Sequence, residues 1–193
     1  MTSTSTIAPR RGRRARPAAP AAVAALVVLL LGSAGCRDSS ARPSGDATGP
    51  PGAARVTRVV DGDTLEVDLA GHDEKVRLLG IDTPETHHPT KPVQCFGAEA
   101  SEHTAELLPA GTEVRLERDD EERDDYGRLL AYVYRSSDGL FVNLDLVQQG
   151  YASLLTIRPN VAHLTDLTAA ESAARAHDLG LWGRCGGPGR PAT

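Results

Sequence analysis

The sequence predicts a β-barrel with helices, an α+β fold in which five short strands close into an OB-type barrel and three helices pack around it. Three observations carry that expectation. Short runs around Val56–Leu69, Val76–Ile81, Thr112–Glu117 and Leu129–Tyr134 are apolar or alternate apolar and polar residues with period two. Turn residues separate these runs, so the strands follow one another largely in hairpin order. One helix-forming stretch, Ala98–Leu108, lies between the third and fourth strands and two more follow the last, as in a small barrel closed by a helix.

The first part of the 193-residue chain does not read as fold. Arg10–Arg16 is basic, Ala19–Leu31 is almost wholly apolar, and Gly32-Ser33-Ala34-Gly35 leads to Cys36. A basic segment, a short apolar core and small residues together make an export signal. The apolar core falls short of the ~20 residues a bilayer span needs. The twin arginines lack the apolar neighbours of a twin-arginine signal, which points to the general secretory route. Ser33-Ala34-Gly35-Cys36 resembles a bacterial lipobox with serine in the usual leucine position. Read that way, Cys36 becomes a lipidated N-terminus facing outward from the cell membrane; cleavage near Ala34 would instead release a secreted protein. Residues 37–53, rich in Ser, Pro, Gly and Ala, form a flexible tether. The folded domain is expected over 54–184, with 185–193 as a tail.

Three cysteines remain to be placed. With Cys36 lipidated, Cys95 and Cys185 are the two left in an oxidising compartment, and a disulfide between them would staple the chain's end to the loop after the Arg77–Glu85 segment. Removing the five arginines before Cys36 from 21 basic residues leaves 16, against 26 acidic ones. That balance argues against broad electrostatic capture of nucleic acid.

Taken in order, Val56–Val60 begins the first strand, and Asp61-Gly62-Asp63-Thr64 interrupts it with a tight bend or bulge. Leu65, Val67 and Leu69 alternate with Glu66 and Asp68 as a half-buried second strand. Gly71-His72-Asp73 turns the chain into the third, Val76–Ile81. This strand runs into Asp82-Thr83-Pro84-Glu85, where Pro84 can donate no ladder hydrogen bond. In the first helix Ala100, Thr104 and Leu107 share a face, and Pro109 and Gly111 stop it. Thr112–Glu117 is the fourth strand, Glu117–Asp125 a charged loop, and Leu129–Tyr134 the fifth strand. Ser136–Gly139 turns the chain back into Leu140–Val142. Asn143 is placed to cap a short helix through Gln148 that Gly150 closes. His163–Leu179 is the last helix, stopped by Gly180 and followed by the apolar anchor Leu181-Trp182.

The Arg77–Glu85 segment delivers a cation on a rigid strand and carboxylates at its exit. Charge for a phosphate, ligands for a metal and a base for water are the parts phosphodiester chemistry needs. Asp63 and Asp82 suit a hard, oxygen-bound cation, Ca²⁺ or Mg²⁺, although Asp-Gly is also simply common in turns. The adjacent His87 and His88 point apart in an extended loop and have no fitting third ligand for zinc. Arg128 stands where a loop enters a sheet, beside Gly127; a surface ion pair with nearby acids is the plainer reading.

Together the motifs are more specific than any one of them. Val59-Val60-Asp61-Gly62-Asp63-Thr64, Arg77-Leu78-Leu79-Gly80-Ile81-Asp82-Thr83-Pro84-Glu85, Phe96-Gly97-Ala98-Glu99-Ala100 and Tyr126-Gly127-Arg128-Leu129-Leu130-Ala131-Tyr132 occur in the order of the staphylococcal-type thermonuclease family. The resemblance covers about Val56–Trp182. It implies a five-stranded OB barrel with three helices and calcium-dependent cleavage of DNA or RNA that leaves 3′-phosphate ends. By resemblance Asp63 and Asp82 are the calcium carboxylates, the Thr83 carbonyl is a further ligand, and Asp61 stands behind them. Glu85 orients or deprotonates the attacking water, Arg77 and Arg128 hold the phosphate, and Tyr126 contacts substrate. The protein is expected to act as a monomer. Two departures bear on substrate binding: Asp125 stands where the best-known members carry lysine, and Leu154-Leu155-Thr156-Ile157-Arg158 replaces tyrosines that stack on the nucleotide. Members of this family also occur as catalytically inactive binding modules, which would lack the metal acids or the arginines; all are present here.

Overall fold

The computed structural model describes residues 52–86 and 92–192. The segment expected to be an export signal with Cys36, nearly all of the expected tether, and the His87-His88 pair lie outside the described residues. Strands β1 (Ala53–Asp61), β2 (Thr64–Leu69), β3 (His72–Leu78), β5 (Glu113–Glu117) and β6 (Leu129–Arg135) form a closed barrel in the order β1-β2-β3-β6-β5. Every pairing is antiparallel except β3 with β6, which is parallel and sets Arg77 opposite Leu130. Short strands β4 (Ile81–Asp82) and β7 (Ser153–Leu154) pair outside the barrel. Helices α1 (Gly97–Leu107), α2 (Val142–Gln148), α3 (Leu164–Ala176) and α4 (Leu181–Cys185) surround it. No helix among the described residues is long and apolar enough to cross a membrane.

The core is built from the alternating positions. Val56, Leu65, Val67, Val76 and Leu78 are buried from β1, β2 and β3, each worth roughly 1.5–3 kcal/mol against exposure. Strand β6 breaks the alternation: Leu129 through Val133 are all buried, because one face fills the barrel while helices cover the other.

Three elements differ from the sequence reading, each for a local reason. The Val76–Ile81 run is not one strand. It stops at Leu78, turns at Leu79-Gly80 and resumes as β4. Gly80 has φ +79°, and a Cβ there would run into Leu167 of α3, so the turn needs glycine and α3 packs directly on it. Asn143 is not a cap. Phe141 holds that place without a side-chain bond, and Asn143, fully buried inside α2, accepts from the Val133 N–H (2.9 Å) and donates to the Leu79 carbonyl (2.9 Å). After the Ser136–Gly139 turn the chain comes back alongside β6, where Phe141 bridges to Tyr134 before α2 begins. Leu181-Trp182 belongs to a fourth short helix beyond Gly180.

Cys95 and Cys185 are joined in a disulfide, their Cα atoms 6.0 Å apart across 90 residues of chain. Beyond it the chain doubles back along residues 93–95. The Cys95 N–H donates to the Arg190 carbonyl (2.8 Å), and the Ala192 N–H to that of Val93 (3.0 Å).

Candidate active site

The Gly62-Asp63 turn between β1 and β2 is held from three sides. Asp61 Oδ1 accepts from the Asp63 N–H (3.2 Å), and Thr104 Oγ1 of α1 donates to the Gly62 carbonyl (2.8 Å). Thr83 lies so close that a Cβ on Gly62 would stand 2.8 Å from its side chain. That approach lets the Thr83 N–H and Oγ1 donate to Asp63 Oδ2, at 2.9 and 3.2 Å. The acids expected to converge from the bend and from the exit of the third strand do so.

Arg77 ties the two segments together. Its side chain is nearly fully buried. One Nη donates to the carbonyls of Leu78 (2.6 Å) and Ile81 (2.8 Å), spanning the Leu79-Gly80 turn. The other lies 3.2 Å from Asp63 Oδ2 and 3.1 Å from Asp82 Oδ1. The guanidinium thus organises the site's own backbone and acids as well as facing the cavity. Arg128, entering from the loop before β6, is half-buried; its Nε donates to Asp124 Oδ2 at 2.7 Å, and its guanidinium lies 5.5 Å from the centre of the Tyr126 ring. Burial opposes ionisation of Asp124, but hydrogen bonds from the Arg128 side chain and backbone outweigh it and hold the carboxyl below its ordinary range. The plainer reading of Arg128, an ion pair with a nearby acid, is met by Asp124, and the same side chain also lines the cavity. Tyr126 is 86% exposed.

Asp61, Asp63, Arg77, Asp82, Thr83, Glu85 and Arg128 line one cavity of about 250 Å³. Burial first, and the neighbouring Asp63 carboxylate second, raise the Asp61 carboxyl from 3.8 to about 6. Four carboxylates against two guanidinium groups leave an excess of two negative charges around the cavity. An all-oxygen donor set with that excess, one member already pushed towards protonation, fits a hard divalent cation. Among the described residues no three carboxylate, imidazole or thiolate groups converge as a ready-made metal-ligand cluster.

The sequence reading missed two residues at this site. Gln94 lines the cavity, and its Oε1 accepts from the Glu85 N–H at 3.2 Å. Nothing in its spacing announces this, because the contact depends on tertiary approach. Asp124, the partner of Arg128, was submerged in an acidic run whose members look alike; its distance of four residues from Arg128 was the only available signal.

A family model described as staphylococcal nuclease homologue matches residues 75–184. The chain is 43% identical over 129 residues to the thermonuclease of Staphylococcus intermedius, covering 67% of this chain and 75% of that one. It is 40% identical over 128 residues to the thermonuclease of Staphylococcus hyicus, covering 66% and 74%. With the endonuclease YncB of Bacillus subtilis (strain 168) it shares 39% identity over 131 residues, covering 67% and 61%.

Proposed function

The chain belongs to the staphylococcal nuclease family, and from that premise we propose that it is a calcium-dependent phosphodiesterase that hydrolyses DNA, RNA or both. The observation that carries this reading is the meeting of Asp63, Arg77, Asp82, Glu85 and Arg128 around one cavity. Asp63, Asp82 and the Thr83 carbonyl would hold Ca²⁺, with Asp61 behind them. Bound there, the ion offsets phosphate charge and acidifies a water. Glu85 would orient or deprotonate the water that attacks phosphorus. Arg77 and Arg128 complement the charge that builds on the equatorial oxygens, for which a planar fork suits better than a lysine. The 5′-oxygen leaves and the product carries a 3′-phosphate. Tyr126, exposed beside Arg128, offers a ring to the substrate. Asp125 and Leu154-Leu155-Thr156-Ile157-Arg158 in place of stacking tyrosines predict weaker or differently selective substrate binding than in better-known members. The protein acts as an exported monomer, anchored through a lipid on Cys36 or secreted.

The test is digestion of single-stranded DNA and of RNA by the mature chain with calcium and then with a chelator, followed by analysis of product ends. Cleavage that stops on chelation, with 3′-phosphate ends, is the expected result. Cleavage indifferent to chelator would remove the metal assignment. Binding without cleavage would make the chain an inactive binding module.

A further inference from the structure

We propose that residues 190–192, fixed by the Cys95–Cys185 disulfide, form a brace that positions Glu85 through Gln94, so that activity depends on the oxidised state of this cysteine pair. This rests on the nuclease reading for its catalytic consequence, though not for the brace itself.

Glu85 follows Pro84 and lies outside every strand. Both polar atoms of its backbone are bonded to one residue. Its N–H donates to Gln94 Oε1 (3.2 Å), and its carbonyl accepts from the Gln94 N–H (2.8 Å). Gln94 is in turn the middle of a three-residue segment whose other edge is taken by the doubled-back chain. It bridges Pro191, while Cys95 and Val93 bond Arg190 and Ala192 on either side. That chain is fastened at Cys185, the last residue of α4, whose Leu181 and Trp182 are buried, with the Arg175 guanidinium 4.4 Å above the Trp182 ring. Two parallel routes therefore run from α4 to Gln94 and Glu85: one through the disulfide to Cys95, the other along the chain beyond Cys185 to residues 190–192.

The metal acids do not depend on this line. Asp63 is held by Thr83 and Arg77, and Asp82 by Arg77 and the β4–β7 pair. Loosening the brace should displace the base while leaving metal and substrate binding in place, and small displacements of a reacting group are costly in rate. A dithiol would break the disulfide by exchange: two electrons pass to the cysteines, Cys95 and Cys185 become thiols, and the dithiol closes to its own disulfide.

The experiment compares full-length wild type, Gln94→Ala, Gln94→Glu and the double variant Cys95→Ser/Cys185→Ser at a temperature where all are folded. It measures kcat and KM on a single-stranded oligonucleotide, and hydrogen–deuterium exchange at the Glu85 amide and in Leu129–Val133. Gln94→Ala and the double variant are expected to lower kcat about ten- to a hundredfold with KM changed less than about twofold. They should also speed exchange at Glu85 and leave the barrel amides unchanged. Gln94→Glu, which keeps the acceptor oxygen but adds a carboxylate to the cavity, should keep Glu85 exchange near the wild-type rate; faster exchange there would count against the bond as the brace's last link. Dithiothreitol should bring wild type to the level of the double variant and leave that variant unaffected. Unchanged kcat and exchange, or a loss that tracks barrel exchange, overturns the proposal. A loss in Gln94→Ala that the double variant does not share also overturns it, reducing Gln94 to a local contact. If wild type itself does not cleave, the nuclease reading fails and the brace is decided by exchange alone: faster Glu85 exchange in both variants upholds it, and no change overturns it.

Discussion

One guanidinium, that of Arg77, meets two carbonyls and two carboxylates within 3.2 Å, almost out of reach of solvent. Removing it strands a buried Asp63 charge, so Arg77→Ala is expected to lose roughly 3 kcal/mol of stability along with its activity, read by urea unfolding beside an activity assay. Glu85 is the contrast. Its side chain is only half-buried, and Glu85→Gln should lower kcat about 10²- to 10⁴-fold while the urea midpoint stays put. A matched fall in both quantities would make Glu85 a structural residue. Arg77, Asp82 and Glu85 could be singled out from sequence because one short segment, running from β3 through β4 to its exit, carries all three. Gln94 was not, since its importance lies in the backbone of a residue nine positions earlier and in chain far downstream.

Between residues and the whole, the turns and helices that surround the site decide its geometry. The break between β3 and β4 places Asp82 back against Arg77, and Gly80 permits it. Gly80→Ala meets a left-handed backbone and Leu167 together, and should cost about 2–4 kcal/mol, measured by chemical denaturation. Asn143→Ala would leave the Val133 N–H and the Leu79 carbonyl without their buried partner, at about 2–4 kcal/mol; a wild-type melting temperature would contradict this account of the α2–barrel junction. Period two carries on through Gly80 undisturbed, so the break left no trace in the pattern. Asn143 was misread for a related reason: the same short amide that caps a helix can bond barrel backbone from inside one, and only packing distinguishes the two.

At the scale of the molecule, charge and cross-linking set the stability. Glu74 is held below its ordinary 4.5 chiefly by Arg123, and Glu117 chiefly by the hydrogen bond from His163. Such carboxylates stabilise the fold above pH 4.5, and that contribution is lost as the pH falls through their lowered values. Asp61 acts in the opposite sense. Because its folded value is raised, the fold is favoured below 3.8 and loses that advantage as pH rises to about 6. Thermal unfolding followed against pH should therefore show a steep acid limb, with Asp61→Asn removing a shallow slope between pH 4 and 6. The disulfide closes a loop spanning 90 residues, and Cys95→Ser should cost roughly 2–4 kcal/mol, seen as a lower melting temperature under oxidising conditions. The closed barrel was visible in the sequence because short amphipathic strands in hairpin order admit few other arrangements. Its parallel β3–β6 seam was not, since pairing across so much intervening chain leaves no local mark.

That seam and the doubled-back residues 190–192 also bear on biosynthesis. The ribosome releases the acids at 61, 63, 82 and 85 early, the second guanidinium at 128 later, and the segment that steadies Glu85 after all of them. A nascent chain thus carries its carboxylates well before it can aim them.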